Sequence, residues 1–390
     1  MRTRTTFLTL AVAMSLAATA CSAKPVSAPT AASERPSPTQ SFGPQSTNSP
    51  PASKPTAAPK ATATPKATAH PKATPTPASG SSAGKISFSD PQNYRVDFVS
   101  TVQDTGWNTS RMIVYEPRPI SWDGQKNVKI ESVSPSPTKS GKDSVYGDGI
   151  YYWQILNRPT TGTSIPFEIQ FTFTAYQTSA TVDATRLKPY NKTSALYKLY
   201  TRPERFIESK DPQIVALANT IAGGSTDPYD LARKFYDYIV ANAHYQKVGK
   251  GLLGAKALLT NGVGECGDFS SLFIALARAK GIPARPVVGF WADSGTDQYH
   301  VWAEFYIEGV GWIPVDPTVG QNSPSAAAFY FGNMDNQRVI LEKGFNIPMS
   351  PATPNGSLVA LMQGPWWWFW GSGDTGSMTI GVTEWQVTPI

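Results

Sequence analysis

The sequence predicts an α+β protein in which a β-sandwich precedes a helical segment that leads into an antiparallel sheet. Three observations carry that prediction. Between residues 86 and 200 the apolar side chains alternate with polar ones, as in Phe167, Ile169, Phe171 and Phe173 set against Glu168, Gln170, Thr172 and Thr174, the period-two signature of a half-buried strand. From residue 211 the period lengthens to that of helices with polar caps. Beyond residue 284 the strand pattern returns, with a Gly-rich turn that folds two strands into a hairpin.

In the β-rich part, further short runs at residues 94–98, 111–115, 127–130 and 150–155 are separated by Pro, Gly and Asn, which favours a sandwich. Asp211-Pro212 and Asp227-Pro228 each pair an N-cap with proline at the first helical position. Ile214, Leu217, Ala218 and Ile221 follow the first at helical spacing, and Leu231, Phe235, Ile239 and Ala243 follow the second. A third helix starts after Gly262 and Gly264, presents Phe269, Leu272, Phe273, Leu276 and Ala277 on one face, and ends at Gly281 and Pro283. Its N-terminus holds Cys266. Strands are then expected at 285–291, 299–307 and 312–315, with the hairpin turning through Glu308-Gly309-Val310-Gly311. Val301, Ala303, Phe305 and Ile307 share one face of the middle strand, so His300 and Trp302 take the other. Residues 378–387 read as a final strand.

The N-terminal 85 residues differ in kind. Residues 1–20 read as a secretory signal, with Arg2 and Arg4 before an apolar stretch and Ala18-Thr19-Ala20 before the cut. Cys21 follows at once, which resembles a bacterial lipobox and implies an exported protein anchored to the membrane through a lipid on Cys21. Residues 21–85 repeat Pro-Lys-Ala-Thr phrases and contain almost no large apolar side chains, the composition of a disordered tether. The remaining chain divides into a β-sandwich-like domain at 86–204, a second domain at 205–345 and a C-terminal aromatic β extension at 346–390.

The net charge of +6 over 390 residues is a property of the ends. The two signal arginines contribute +2, and residues 22–85 contribute +6 from seven basic residues against one acidic, which leaves −2 on residues 86–390. Nucleic acid is therefore excluded as the expected partner; anionic lipid or wall polymer is the neighbour that the tether would meet. The chain has two cysteines, Cys21 and Cys266. If Cys21 carries lipid, Cys266 cannot form an intrachain disulfide. With only His244 and His300 beside it in the folded part, no zinc-ligand spacing exists, and no metal or cofactor is expected.

A thiol must be ionised to act as a nucleophile, and the free cysteine pKa of about 8.5 is too high near neutral pH. A helix N-terminus and an adjacent imidazolium both lower it. Cys266 has the first by position, His300 could supply the second, and Asp316 at the end of the next strand could hold the far ring nitrogen of His300. Taken singly, each has a plainer reading: a small buried thiol, a satisfied histidine, a turn-forming aspartate.

Three motifs in fixed order decide between these readings: Gly262-Val263-Gly264-Glu265-Cys266-Gly267-Asp268-Phe269 with its helix to Arg285, His300-Val301-Trp302-Ala303-Glu304, and Gly311-Trp312-Ile313-Pro314-Val315-Asp316-Pro317-Thr318. Together they resemble the transglutaminase-like superfamily of the papain-like cysteine peptidase fold over residues 210–320. The resemblance implies Cys266 as nucleophile, His300 as general acid/base and Asp316 as the orienting acid. The expected activity is acyl transfer or hydrolysis at peptide or glutamine amides through a thioester, on a protein or peptide substrate such as cell-wall peptide. A non-catalytic envelope module binding protein or peptidoglycan is the alternative.

Other residues keep two readings. Asp268 matches a recurring family position and also suits helix capping. Trp302 either walls a cleft or packs beside the hairpin. A second oxyanion donor beside the Cys266 amide is sought at Tyr245 or Gln246, and His244 reads as structural. The run Trp366-Trp367-Trp368-Phe369-Trp370 suits glycan stacking, lipid insertion or a packed strand.

Overall fold

A computed structural model describes residues 82–104, 107–156, 163–247, 249, 251–292, 299–354, 356–373 and 378–390. The signal, Cys21 and the tether lie outside the described residues.

The N-terminal β-rich region contains β1 (Gly84–Asp104), β2 (Trp107–Pro117), β3 (Gln125–Ser134), β4 (Lys139–Lys142), β5 (Gly149–Leu156) and β6 (Thr163–Val182). Strands β1 and β6 are far longer than their apolar alternation, because the stretch from Tyr94 in β1 lines the sandwich core while Ile86 upstream, with Ala180 and Val182 of β6, packs against the helices. Helices α1 (Ala195–Thr201), α2 (Pro212–Ala222) and α3 (Pro228–Asn242) follow. The carboxylates of Asp211 and Asp227 accept from the first-turn amides of α2 and α3, as their Asp-Pro starts predict.

A short parallel pair, β7 (His244–Tyr245) and β8 (Val263–Gly264), flanks α4 (Ala255–Asn261) and leads directly into α5 (Cys266–Ala279). The chain then forms β9 (Ala284–Trp291), β10 (Tyr299–Ile307) and β11 (Gly311–Val315), the four-residue helix α6 (Pro317–Gly320), and β12 (Asn333–Met334) and β13 (Arg338–Glu342). An antiparallel sheet of order β11-β10-β9-β13 results.

One face of that sheet packs on the helices. Val301, Ala303, Phe305 and Ile307 of β10 share a core with Phe269, Leu272, Phe273 and Leu276 of α5. Farther along the same face Phe290 and Val339 enter the sandwich core, and on the other face Val287, Trp302 and Ile340 join Met334 in a smaller cluster. His300 and Trp302 thus leave the helical core, as their parity requires, and enter a second interior. Each charge buried there then needs a partner. Glu304 is held by Arg285 and Lys343, both within 2.7 Å.

The C-terminal segment returns to the beginning of the chain. Strand β15 (Met378–Pro389) pairs with β1 from Tyr94↔Pro389 onward, and β14 (Trp366–Gly373) pairs with β2 from Trp366↔Tyr115. Residues 346–390 therefore supply a strand to each sheet of the N-terminal sandwich. The tryptophan run is β14 itself, packed on both faces: Trp367 and Phe369 enter the core between the two sheets, while Trp366 and Trp368 enter a separate cluster with Tyr115 and Tyr152. The Trp366 indole donates to Leu361 O at 2.8 Å. Trp370 is partly exposed, and the Arg111 guanidinium lies 4.6 Å from its ring centroid.

Candidate active site

Cys266 is the first residue of α5 because the chain before it is punctuated and pinned. Gly262 ends α4 in the left-handed conformation, its amide donating to Leu258 O at 2.9 Å. Glu265 N-caps α5, and Asp268 completes a capping box by accepting the Glu265 amide at 3.1 Å. The same Asp268 reaches across to the preceding loop, where its Oδ1 accepts from Leu253 at 2.9 Å and Gly254 at 2.8 Å. Burial pushes the Asp268 carboxyl above its ordinary range despite these three amides, which lower it. Glu265 Oε1 accepts from Gly249 at 2.7 Å. Two acids at one helix start therefore fasten Gly249, Leu253 and Gly254 to the end of α5 that bears the thiol. Gly254 sits at φ +99°, and a Cβ there would come within 2.7 Å of Phe206 Cα, so only glycine fits.

His300 is the second residue of β10, opposite Gly289 of β9. The side-chain amide of Gln363 donates to Gly289 O at 2.9 Å and to His300 O at 3.0 Å, tying both strands at that level. The His300 ring stacks between Trp291, 4.9 Å away at 26°, and Trp302, 6.1 Å away at 19°. Trp302 is thus both a packing residue and a wall of the histidine. Ser270, one turn after Cys266, donates to Val301 O at 3.1 Å and so fixes α5 against β10 next to His300.

Asp316 closes β11 and caps α6, its Oδ1 accepting from Val319 at 3.1 Å. Its other oxygen, Oδ2, receives His300 Nε2 at 2.7 Å and Arg338 Nη1 at 2.7 Å. A carboxylate can only accept, so Nε2 carries the hydrogen in this bond. Burial of Asp316 acts to raise its carboxyl, but His300 and Arg338 outweigh it, and the group is held well below the ordinary carboxylate range. Cys266, His300 and Asp316 are all buried, at 1%, 5% and 0% exposure.

The structure thus joins His300 to Asp316 directly and sets Cys266 at the start of the helix that packs on the His300 strand. Tyr245 packs on the helical core, and the Gln246 amide is spent on Gly264 O at 2.9 Å, leaving its side-chain amide as its remaining donor. His244 is exposed, its backbone paired to Gly262 O. Sequence reasoning missed Arg338, Trp291 and Gln363. An arginine opening an otherwise apolar strand was the available signal for the first; nothing in the local pattern distinguishes the other two.

A cavity of about 430 Å³ lies behind this sheet, with Trp302, Glu304, Arg338, Trp312, Phe88 and Tyr176 among its walls. Neither Cys266 nor His300 lines it, so it is separate from the thiol site.

Residues 215–317 match the family model of the transglutaminase-like superfamily. An uncharacterized protein of Haemophilus influenzae is 30% identical over 165 residues, 32% of this chain and 44% of that protein. The uncharacterized protein YebA of Bacillus subtilis is 24% identical over 165 residues, 37% of this chain and 22% of that protein. The chain therefore spans less than half the length of either relative. A solved structure from Cytophaga hutchinsonii, described as a candidate cysteine protease, superposes with a TM-score of 0.52 at 16% identity, covering 78% of this chain and all of that one. That likeness concerns the fold, and it agrees with a helical segment and antiparallel sheet of papain-like type behind a β-rich region. Residues 215–317 are a transglutaminase-like domain.

Proposed function

We propose that the protein is a thiol enzyme of the cell envelope that transfers or hydrolyses acyl groups at peptide or glutamine amide bonds. The observation supporting this most directly is the buried 2.7 Å bond from His300 Nε2 to Asp316, on a strand packed against the helix that Cys266 opens. The bond commits one ring nitrogen and leaves Nδ1 for proton transfer with the thiol. In the proposed reaction the Cys266 sulfur, its proton held by His300, attacks the amide carbonyl to form a tetrahedral intermediate. His300 then protonates the departing amine as the C–N bond breaks, and a thioester remains. Water releases an acid; an amine forms a new amide. Asp316 keeps the ring oriented and compensates the imidazolium, as in other nucleophile–histidine–acid sites. Water reaches any second nucleophile site without a dedicated pocket, which favours hydrolysis.

On this reading the substrate is a protein or peptide, such as a wall peptide. Cys21 carries a lipid that holds the protein at the outer surface of the membrane, with residues 21–85 as tether. The alternative, a module that binds protein or peptidoglycan without chemistry, draws on the burial of the Cys266 thiol. Incubating the protein with a peptide mixture and a primary amine, and following both by mass spectrometry, tests the proposal. Cleaved, deamidated or amine-bearing peptides that disappear in Cys266→Ala are expected; identical spectra from both proteins would leave the binding module.

A further inference from the structure

We propose that Arg338 is a positioning residue of this site: it clamps Asp316 in the orientation His300 needs and, by sharing that carboxylate's charge, sets the pH at which the imidazolium releases its proton. The inference rests on the site read above as Cys266, His300 and Asp316.

Arg338 meets the same oxygen as the histidine, with Nη1 2.7 Å from Asp316 Oδ2. Its other two nitrogens bond Asp335: Nε lies 3.3 and 3.1 Å from the two oxygens, and Nη2 lies 3.0 Å from Oδ2. The guanidinium is 4% exposed and caged by aromatic faces, 4.2 Å from Trp291, 5.0 Å from Trp302 and 5.4 Å from Tyr330. Trp291 and Trp302 are the rings that flank His300. One pair of indoles thus holds both groups that donate to Asp316 Oδ2.

This placement is costly unless it orders something, because an arginine sealed in a sheet interior loses its hydration. Its fork on Asp335 holds the guanidinium in place, so that the Nη1 bond gives Asp316 a second fixed donor beside the histidine. Its charge also competes. A carboxylate shared with a guanidinium lends less stabilisation to an imidazolium than one facing it alone. Among the described residues, the titratable groups around Asp316 and Arg338 are His300 from β10, Asp335 and Tyr330 from the segment before β13, and Tyr236 from α3. The Tyr330 hydroxyl donates to Asp335 at 3.0 Å. Asp335 therefore divides the arginine's charge between two acids.

The test is an NMR titration of the histidine rings in the intact protein, which has three histidines, His70, His244 and His300. Arg338→Met is expected to raise the His300 midpoint by about one unit or more, since it removes a like charge and leaves the Asp316 carboxylate to the imidazolium alone. Asp335→Asn, which returns the arginine wholly to Asp316, is expected to lower it. Arg338→Lys keeps the charge and should stay closer to the parent midpoint, while peptide turnover falls through kcat more than KM because the fork is lost. A merely structural Arg338 would alter stability and leave the midpoint in place. Unchanged midpoints in both Arg338→Met and Asp335→Asn overturn the proposal; should Arg338→Met not fold, an unchanged midpoint in Asp335→Asn alone overturns it. Cys266→Ala serves as the separate control: a His300 midpoint indifferent to loss of the thiol counts against the thiol–imidazole reading, not against Arg338.

Discussion

Replacing Asp268 with Ala removes one acceptor group from three backbone amides, those of Leu253, Gly254 and Glu265. Two of those bonds are buried and the third partly so. An unsatisfied buried donor costs about 1–3 kcal/mol. Some water can reach Leu253, and the variant is also relieved of a desolvated carboxyl, so the net loss is on the order of 3 kcal/mol rather than the full sum. Urea unfolding followed by tryptophan fluorescence measures it. The loss should be local as well as global, because the released amides belong to the N-cap of α5 and to the loop residues that Asp268 pins to it. Hydrogen exchange at Gly254 and Glu265 should accelerate more than exchange in β1 or β6. Asp268→Asn, which keeps one oxygen but turns an NH₂ toward a backbone donor, should fall between Ala and the parent. A loss below about 1 kcal/mol with unchanged exchange at Gly254 would refute the clamp.

Three further outcomes follow from other parts of the molecule. Asp316→Asn should lower turnover of whichever peptide the protein is found to process by about 10³-fold or more with little change in KM, since the amide supports the wrong histidine tautomer; steady-state kinetics check it. Glu304→Ala strands Arg285 and Lys343 as buried cations and should destabilise by about 3–5 kcal/mol, read as a fall in urea midpoint. Glu116 is fully buried in the sandwich facing Ser100, and neither carboxylate oxygen completes a hydrogen bond of good geometry. Burial lifts its carboxyl from 4.5 to about 8, so the folded state keeps the proton that the unfolded chain releases. Its contribution is complete below pH 4.5 and is lost as pH rises through about 8. At pH 7 the loss is already on the order of 3 kcal/mol at about 1.4 kcal/mol per unit. Glu116→Gln should therefore flatten the decline of Tm between pH 5 and pH 9; an equally steep decline in the variant would contradict this.

The features that were legible in the sequence are those written locally. Asp-Pro starts of α2 and α3, the glycines before Cys266 and the Glu308–Gly311 turn each act within a few residues, and each appears where its chemistry requires. Asp268 was legible as a cap, because capping is a three-residue relation; its hold on Leu253 and Gly254 spans a loop and was not. Pairing of β14 with β2 and of β15 with β1 joins residues more than 250 positions apart, so no local period carries it. The tryptophan run illustrates the consequence: a strand buried on both faces reads as an uninterrupted apolar stretch, which looks the same as a surface for glycan or lipid. Arg338 escaped notice for a similar reason. Its partners, Asp316 and the indoles of Trp291 and Trp302, come from three other strands, and only the closed sheet brings them to one point.

The pH dependence of Cys266 alkylation by iodoacetamide, read from the mass of its peptide in the parent and in His300→Ala, tests most directly whether the histidine activates the thiol. An ordinary cysteine with a pKa of about 8.5 loses about 200-fold in thiolate between pH 9 and pH 6. The paired site is expected to lose less than about tenfold over that interval in the parent and to revert to the steep dependence in His300→Ala. The same steep slope in both proteins would contradict it.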